Sequence, residues 1–241
     1  GTQGGEEGTG EEGSTEGTGQ EGCEEGAGQE GNCCGHGGGL MFLAFEGGEG
    51  AGKSTQEAIL AASLQERGYD VVRTREPGGT PAAEQIRTVV LSTQNTGLDD
   101  RAEALLFAAA RGDHAARLIR PALDRGAVVV CDRYLDSSVA YQGYGRGLGP
   151  DRVRDLSLWA TNGLVPDLTV LLDIDPAVGL ARVTDPDRLE AEPLEWHRRV
   201  REGFLAIAAA EPSRYLVVDA SAPVEEIAAR VLTRALSVLG A

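Results

Sequence analysis

Leu40–Ser54 reads LMFLAFEGGEGAGKS, an apolar run that ends at Glu46 and passes into a glycine-rich turn closing on Lys53 and Ser54. Within it, Gly47-Gly48-Glu49-Gly50-Ala51-Gly52-Lys53-Ser54 satisfies G-x-x-x-x-G-K-[ST] in full, and a helical pattern runs from there through Thr55 to about Arg67. Glycines let the backbone wrap a phosphate, so that its N–H groups point inward at the start of the helix. Lys53 then suits the β- and γ-phosphates of a nucleoside triphosphate, and the Ser54 hydroxyl suits Mg²⁺. A turn that merely joined strand to helix would need no Lys-Ser pair at that point. The motif leaves the second substrate open, although the chain lacks the N-K-x-D of a guanine-reading switch.

Outward from this loop, apolar runs alternate with helical patterns. Asp70–Thr74, Ala127–Cys131, Leu168–Ile174 and Tyr215–Val218 read as further strands. Helical patterns cover about Pro81–Leu91 and Asp99–Arg125, the latter as one helix or two, and Arg75–Thr80 (REPGGT) is a loop. Strands that are apolar throughout and separated by helices predict a five-stranded parallel sheet covered on both faces, a three-layer α/β/α phosphate-loop fold. Ligands of such sheets bind at the carboxyl ends of the strands, where the motifs lie.

The chain has 241 residues and a formal net charge of −16. Nine of its glutamates fall in the first forty residues, which contain no Lys, Arg or Asp, so the remainder carries −7. Residues 1–39 are too polar and glycine-rich to offset their ordering entropy and are expected to be a disordered acidic tail or linker. The domain is expected to span residues 40–241. An acidic balance argues against a nucleic-acid polymer as partner. Cys33, Cys34 and His36 lack the spacing of a structural zinc site. With no disulfide framework, apolar span or signal peptide in view, a reducing cytoplasm fits and a membrane does not. The chain begins with Gly and its single Met is Met41, which suggests a processed chain or an excised piece of something larger.

Asp132 follows the strand AVVVC, the place of an acidic group that holds Mg²⁺ directly or through water, although a strand-end Asp is also a common cap. Beyond it, a helical turn would put Ser138, Tyr141 and Gln142 on one face, and Phe107 and Arg111 share the same i, i+4 spacing in ALLFAAAR. Spacing alone favours a solvated helix side for the first set and a core Phe with a surface Arg for the second. His114, His197, Trp159 and Trp196 read as packing or surface residues.

The segments FEGGEGAGKSTQ, TREPGGT, AEALLFAAAR, CDRYLDSSVAYQGYGRG and PDLTVLLDI together resemble the bacterial thymidylate kinases, in order and spacing, from about Met41 to the C-terminus. That resemblance implies transfer of the ATP γ-phosphoryl to dTMP with Mg²⁺, and a homodimer. It implies that Phe107 stacks on thymine, that Arg111 donates to its O4 and that Ser138 meets its Watson–Crick edge. Arg133, Arg87 and more weakly Arg75 would hold the acceptor phosphate. Gln142 would line the base and sugar, Tyr141 would crowd a ribose 2′-OH, and Glu49 would lie near the 3′-OH. The family's mobile lid corresponds to residues 180–192, shorter here than usual. Its Arg188, in DRLE, is the expected catalytic lid arginine, with Arg182 the other arginine in the lid and Arg146 a weaker substitute. Another pyrimidine nucleotide or nucleoside kinase, or a catalytically weak nucleotide-binding module of a larger protein, are the alternatives.

Overall fold

The computed structural model describes residues 41–241. The expectations placed on the tail, including those for Cys33, Cys34 and His36, fall outside the described residues.

Strand β1 (Met41–Glu46) is buried at every position and leads into the phosphate loop and helix α1 (Lys53–Gln65). Next come β2 (Val71–Arg75), α2 (Pro81–Leu91), α3 (Asp100–His114) and α4 (Arg120–Asp124). The long helical pattern is one continuous rod, in which a π-helical segment (Ala115–Ile119) joins α3 to α4. Strand β3 (Val128–Asp132), the short α5 (Leu135–Ser138), a second π-helical segment (Val139–Gly145) and α6 (Pro150–Ala160) follow. The chain then runs through β4 (Leu168–Asp173), α7 (Pro176–Leu180), α8 (Leu194–Ala210), β5 (Tyr215–Asp219) and α9 (Val224–Leu239).

All strand pairs are parallel, in the order β2-β3-β1-β4-β5. Alternation along β1 divides the core. Phe42 and Ala44 face Val129, Cys131 and residues of α5 and α8, whereas Met41, Leu43 and Phe45 face α1 and α9. Both faces are therefore dry, which is why the strands read as unbroken apolar runs.

Local chemistry sets the helix starts. Thr80 accepts from Ala83 N ahead of Pro81, and Asp99 accepts from Arg101 N and Ala102 N. At the carboxyl ends the ladder continues past the strands: Glu76 N donates to Asp132 O, and Arg133 N donates to Phe45 O. These bonds bring the loops after β1, β2 and β3 to one edge of the sheet.

Candidate active site

Gly47 has φ +137 and its missing Cβ lets it pass directly against the Leu172 carbonyl of β4, while Gly50 and Gly52 take left-handed φ values of +64 and +86. Only this backbone turns the chain sharply enough to open a cavity of about 360 Å³ lined by residues 49–55, Arg75, Glu76, Arg87, Asp132 and Arg133. Lys53, 8% exposed, donates from Nζ to Gly48 O at 2.8 Å and Gly47 O at 3.2 Å, so the ammonium lies across the mouth of the loop. Burial and the nearby Arg133 push its pKa down, against the pull of Glu49, Asp132 and Glu46.

Asp132 is the last residue of β3 rather than the first beyond it, so its carboxylate projects from the sheet edge. Its Oδ2 accepts from Ser54 Oγ at 2.8 Å, while its buried Oδ1 has no hydrogen-bond partner. A hydroxyl, an orphaned carboxylate oxygen and a neighbouring loop built for phosphates fit a hard divalent cation such as Mg²⁺. Among the described residues no cluster of three or more His, Cys, Asp or Glu side chains forms a self-contained metal cage.

A second cavity adjoins the first and shares Glu49, Glu76, Arg87 and Arg133 with it. Its remaining wall includes Phe107, Ser138, Tyr141 and Gln142. Arg133, at φ +70, donates to Gly47 O at 3.0 Å and Glu49 Oε2 at 2.8 Å, and its guanidinium lies 5.1 Å from the centre of the Tyr141 ring. Tyr141 OH donates to the other oxygen of Glu49. Burial alone would raise the Glu49 pKa, but Arg133, Lys53 and the Tyr141 hydroxyl outweigh it and hold the carboxyl at about 2. Glu49 is thus ionised at neutral pH and acts as a clamp between the two cavities. Arg87 donates to Pro77 O at 2.9 Å and lines both cavities, whereas Arg75 is half exposed, pairs with Glu84 and reaches only the phosphate-loop side.

Ser138, Tyr141 and Gln142 do share the wall, but through a π-helical segment rather than an α-helix. The wider winding fans them apart: Tyr141 turns toward Glu49, and Gln142 donates to Glu103 Oε1 at 2.9 Å. Arg111 is 2% exposed and lies behind the wall, in contact with Ser138. Arg188 departs furthest from expectation. It is 7% exposed, donates from Nε to Val90 O at 2.9 Å, and its Nη2 sits 2.7 Å from Glu103 Oε2, off hydrogen-bond alignment. Its guanidinium lines neither cavity. From the same loop, Arg182 donates to Gly50 O at 2.8 Å, so it is Arg182 that touches the phosphate loop. Arg146 is spent on Glu103 and Glu192.

Four residues given no role by sequence carry this architecture. Glu46 is wholly buried and accepts from Tyr134 N, Ser137 N and Ser137 Oγ, which fixes the turn holding Arg133. Glu76, Glu103 and His114 are buried partners of the wall residues. An acid closing an apolar run could have marked Glu46, and the i, i+4, i+8 spacing of Glu103, Phe107 and Arg111 could have marked one helix face.

Burial, reinforced by Asp136, raises the Glu46 pKa from 4.5 to about 7. A carboxyl whose folded pKa lies above its unfolded one binds more protons when native, so stability falls as pH rises from about 4.5 to about 7. The shift corresponds to a loss on the order of 3 kcal/mol across that window. Urea unfolding between pH 5 and 8 should show this slope in the parent and little of it in Glu46→Gln. Equal slopes would refute the assignment.

A phosphate loop at one strand end, a carboxylate on the neighbouring strand and an adjoining cavity walled by arginines define a phosphate-loop phosphotransferase of the nucleoside monophosphate kinase class. A sequence model described as thymidylate kinase matches residues 45–231. The chain is 55% identical over 205 residues to the thymidylate kinase of Clavibacter michiganensis subsp. michiganensis, covering 83% of this chain and 97% of that one. It is 58% identical over 198 residues to that of Leifsonia xyli subsp. xyli, covering 80% and 93%. The crystal structure of thymidylate kinase from Ehrlichia chaffeensis superposes with a TM-score of 0.68 at 35% identity, over 82% of this chain and 98% of that one. The chain belongs to the thymidylate kinase family.

Proposed function

We propose that this chain transfers the γ-phosphoryl of ATP to dTMP, giving ADP and dTDP, with Mg²⁺ held at Ser54 and Asp132. The observation that carries the reading is the pair of adjoining cavities sharing Glu49, Glu76, Arg87 and Arg133. A donor wrapped by the phosphate loop and an acceptor seated against Phe107 would bring their phosphates together at those shared residues. The acceptor phosphate is already ionised at neutral pH, so the chemistry needs positioning and charge neutralisation rather than a general base. Mg²⁺, when bound, neutralises charge on the terminal phosphates of ATP. Loop N–H groups and Lys53 cradle the donor. Arg133 and Arg87 hold the acceptor phosphate, with Arg75 at the outer edge. Phe107 offers a ring to the base, and Tyr141 occupies the sugar side beside Glu49.

In the lid, Arg182 rather than Arg188 is placed to meet developing charge, because it already contacts a carbonyl of the phosphate loop. Leu105 on α3 and Trp159 on α6 are 58% and 83% exposed on two helices that pack together, which supports a homodimer through that face. Among the described residues no helix is long and apolar enough to cross a membrane. The substrates of this reading place the reaction in the cytoplasm.

The test is ADP release with dTMP, dUMP, dCMP, UMP and AMP as acceptors, for the parent, Arg182→Ala and Arg188→Ala. dTMP should be the best acceptor. Arg182→Ala should lower kcat about tenfold or more, with Arg188→Ala affecting stability more than kcat. Turnover of another acceptor without dTMP would overturn the reading.

A further inference from the structure

The lid leaves the sheet through α7, a short helix that carries a glycine on its inward side. Asp175 Oδ1 accepts from Ala177 N at 2.9 Å to start the helix, and Pro176 takes its first position. Ala177 and Val178 face solvent, whereas Pro176 and Gly179 are buried. Gly179 donates to Asp175 O at 3.0 Å as an ordinary helical residue, and its φ lies outside the left-handed range. Alanine is the better residue at such a position, because it has less backbone freedom to lose on folding. Conformation therefore does not call for this glycine.

Space does. A Cβ on Gly179 would drive into the Glu49 carbonyl oxygen and meet Ile174 Cγ2 at 3.3 Å. The contact is reciprocal: a Cβ on Gly50 would drive into the Gly179 carbonyl oxygen and lie 3.1 Å from Gly179 Cα. Two main chains, the phosphate loop and the root of the lid, lie one against the other with no side chain between them.

Arg182 closes the circuit. Its backbone N–H donates to Gly179 O at 3.1 Å, the same oxygen that Gly50 abuts, and its guanidinium returns to Gly50 O at 2.8 Å. The side chain is exposed, and one bond to a carbonyl does not offset the rotamer entropy of an exposed arginine. Its placement therefore comes from the main chain beneath it.

We propose that Gly179 is a positioning residue for phosphoryl transfer: by letting the root of the lid seat on the phosphate loop, it sets Arg182 beside the donor phosphates. The inference rests on the reading of Arg182 as the lid arginine that meets developing charge. It makes Arg182 travel with the phosphate loop rather than with the rest of the lid. A methyl group at residue 179 would lift α7 off the loop and carry the guanidinium with it. A misplacement of about an ångström is enough to cost an oriented transfer on the order of a hundredfold.

The experiment measures kcat and both KM values in the parent, Gly179→Ala, Arg182→Ala and the double variant, each first checked for a cooperative thermal transition. Gly179→Ala should lower kcat about tenfold or more while KM for dTMP stays within about twofold. In the Arg182→Ala background the same substitution should cost less than about twofold, because the group through which it acts is gone. A methyl that merely damaged the loop or the fold would slow the Arg182→Ala enzyme as much as the parent, and that result overturns the proposal. So does parental kcat in Gly179→Ala. Parental kcat in Arg182→Ala would sink the reading of Arg182 and this inference with it, whereas a slow Arg182→Ala beside a normal Gly179→Ala refutes only the role of Gly179. Should Gly179→Ala not fold, amide hydrogen exchange in Arg182→Ala decides. The Val178 and Gly179 N–H groups, both bonded to Asp175 O, should stay as protected as in the parent, because the seat does not need the guanidinium. Faster exchange there would show that the arginine holds the helix, which reverses the proposal.

Discussion

Lys53→Met should lower kcat for dTMP phosphorylation by about a thousandfold or more while leaving KM for dTMP within a few-fold. The ammonium is nearly buried and spends two of its donors on the Gly47 and Gly48 carbonyls. Those two bonds hold it over the loop, where the β- and γ-phosphates would replace them. Phosphoryl transfer asks the protein for little beyond placement and charge, so losing the one cation inside the loop removes a large share of the stabilisation. A single preorganised donor is already worth a hundred- to a thousandfold elsewhere, roughly 3–4 kcal/mol. Met keeps the length and apolar stem, so the loop should still form. Single-turnover quench experiments with saturating ATP would measure the step directly. A variant that retained more than a tenth of parental kcat would show that Lys53 is not placed for transfer.

Arg133→Met should lower kcat/KM for dTMP by about a hundredfold or more, and it should also change the titration of Glu49. Arg133 is the group through which the two cavities communicate, bonded to the phosphate loop at Gly47 and to the clamp at Glu49. Without it Glu49 keeps Lys53 and the Tyr141 hydroxyl but loses the strongest counterweight to its own burial, so its pKa should rise from about 2. The carboxyl's stabilising contribution is present above its unfolded pKa and is lost as pH falls through the folded one. Raising the folded value therefore reduces stability at neutral pH and moves the acid-loss window upward. The double variant Arg133→Met/Glu49→Gln separates the two effects. It should recover much of the stability at pH 7 and little of the turnover, because it removes the stranded charge without restoring a cation for the acceptor phosphate. Full recovery of turnover would mean that Arg133 serves only to neutralise Glu49.

What was legible in sequence was what proximity along the chain encodes. The phosphate loop, its preceding strand and Lys53 and Ser54 lie within a few residues of one another, and strand edges fell within about a residue or two of those found. Phe107 and the Ser138–Gln142 group emerged through family motifs, and the cavity does gather them. The positions of Arg111 and Arg188 did not emerge, because an arginine's reach depends on which acid holds it, and both acids are distant in sequence. Glu76 lies 35 residues from Arg111, in a loop whose reading gave this acid no role. Glu103 lies in α3, far along the chain from the lid arginine it holds. His114 looked like packing for the same reason. The winding after Ser138 was equally hidden, since α- and π-helical turns share one apolar pattern over so short a stretch.

The chain's two tryptophans sit in opposite surroundings: Trp159 is 83% exposed on α6, while Trp196 is 4% exposed with its ring centre 5.5 Å from that of Tyr141. Fluorescence can therefore follow two events in unlabelled protein. Emission quenched by added iodide belongs to the outer indole and reports when its helix face becomes covered. The protected remainder belongs to the inner indole, which touches a ring lining the cavity proposed for the acceptor, and should change when dTMP is added.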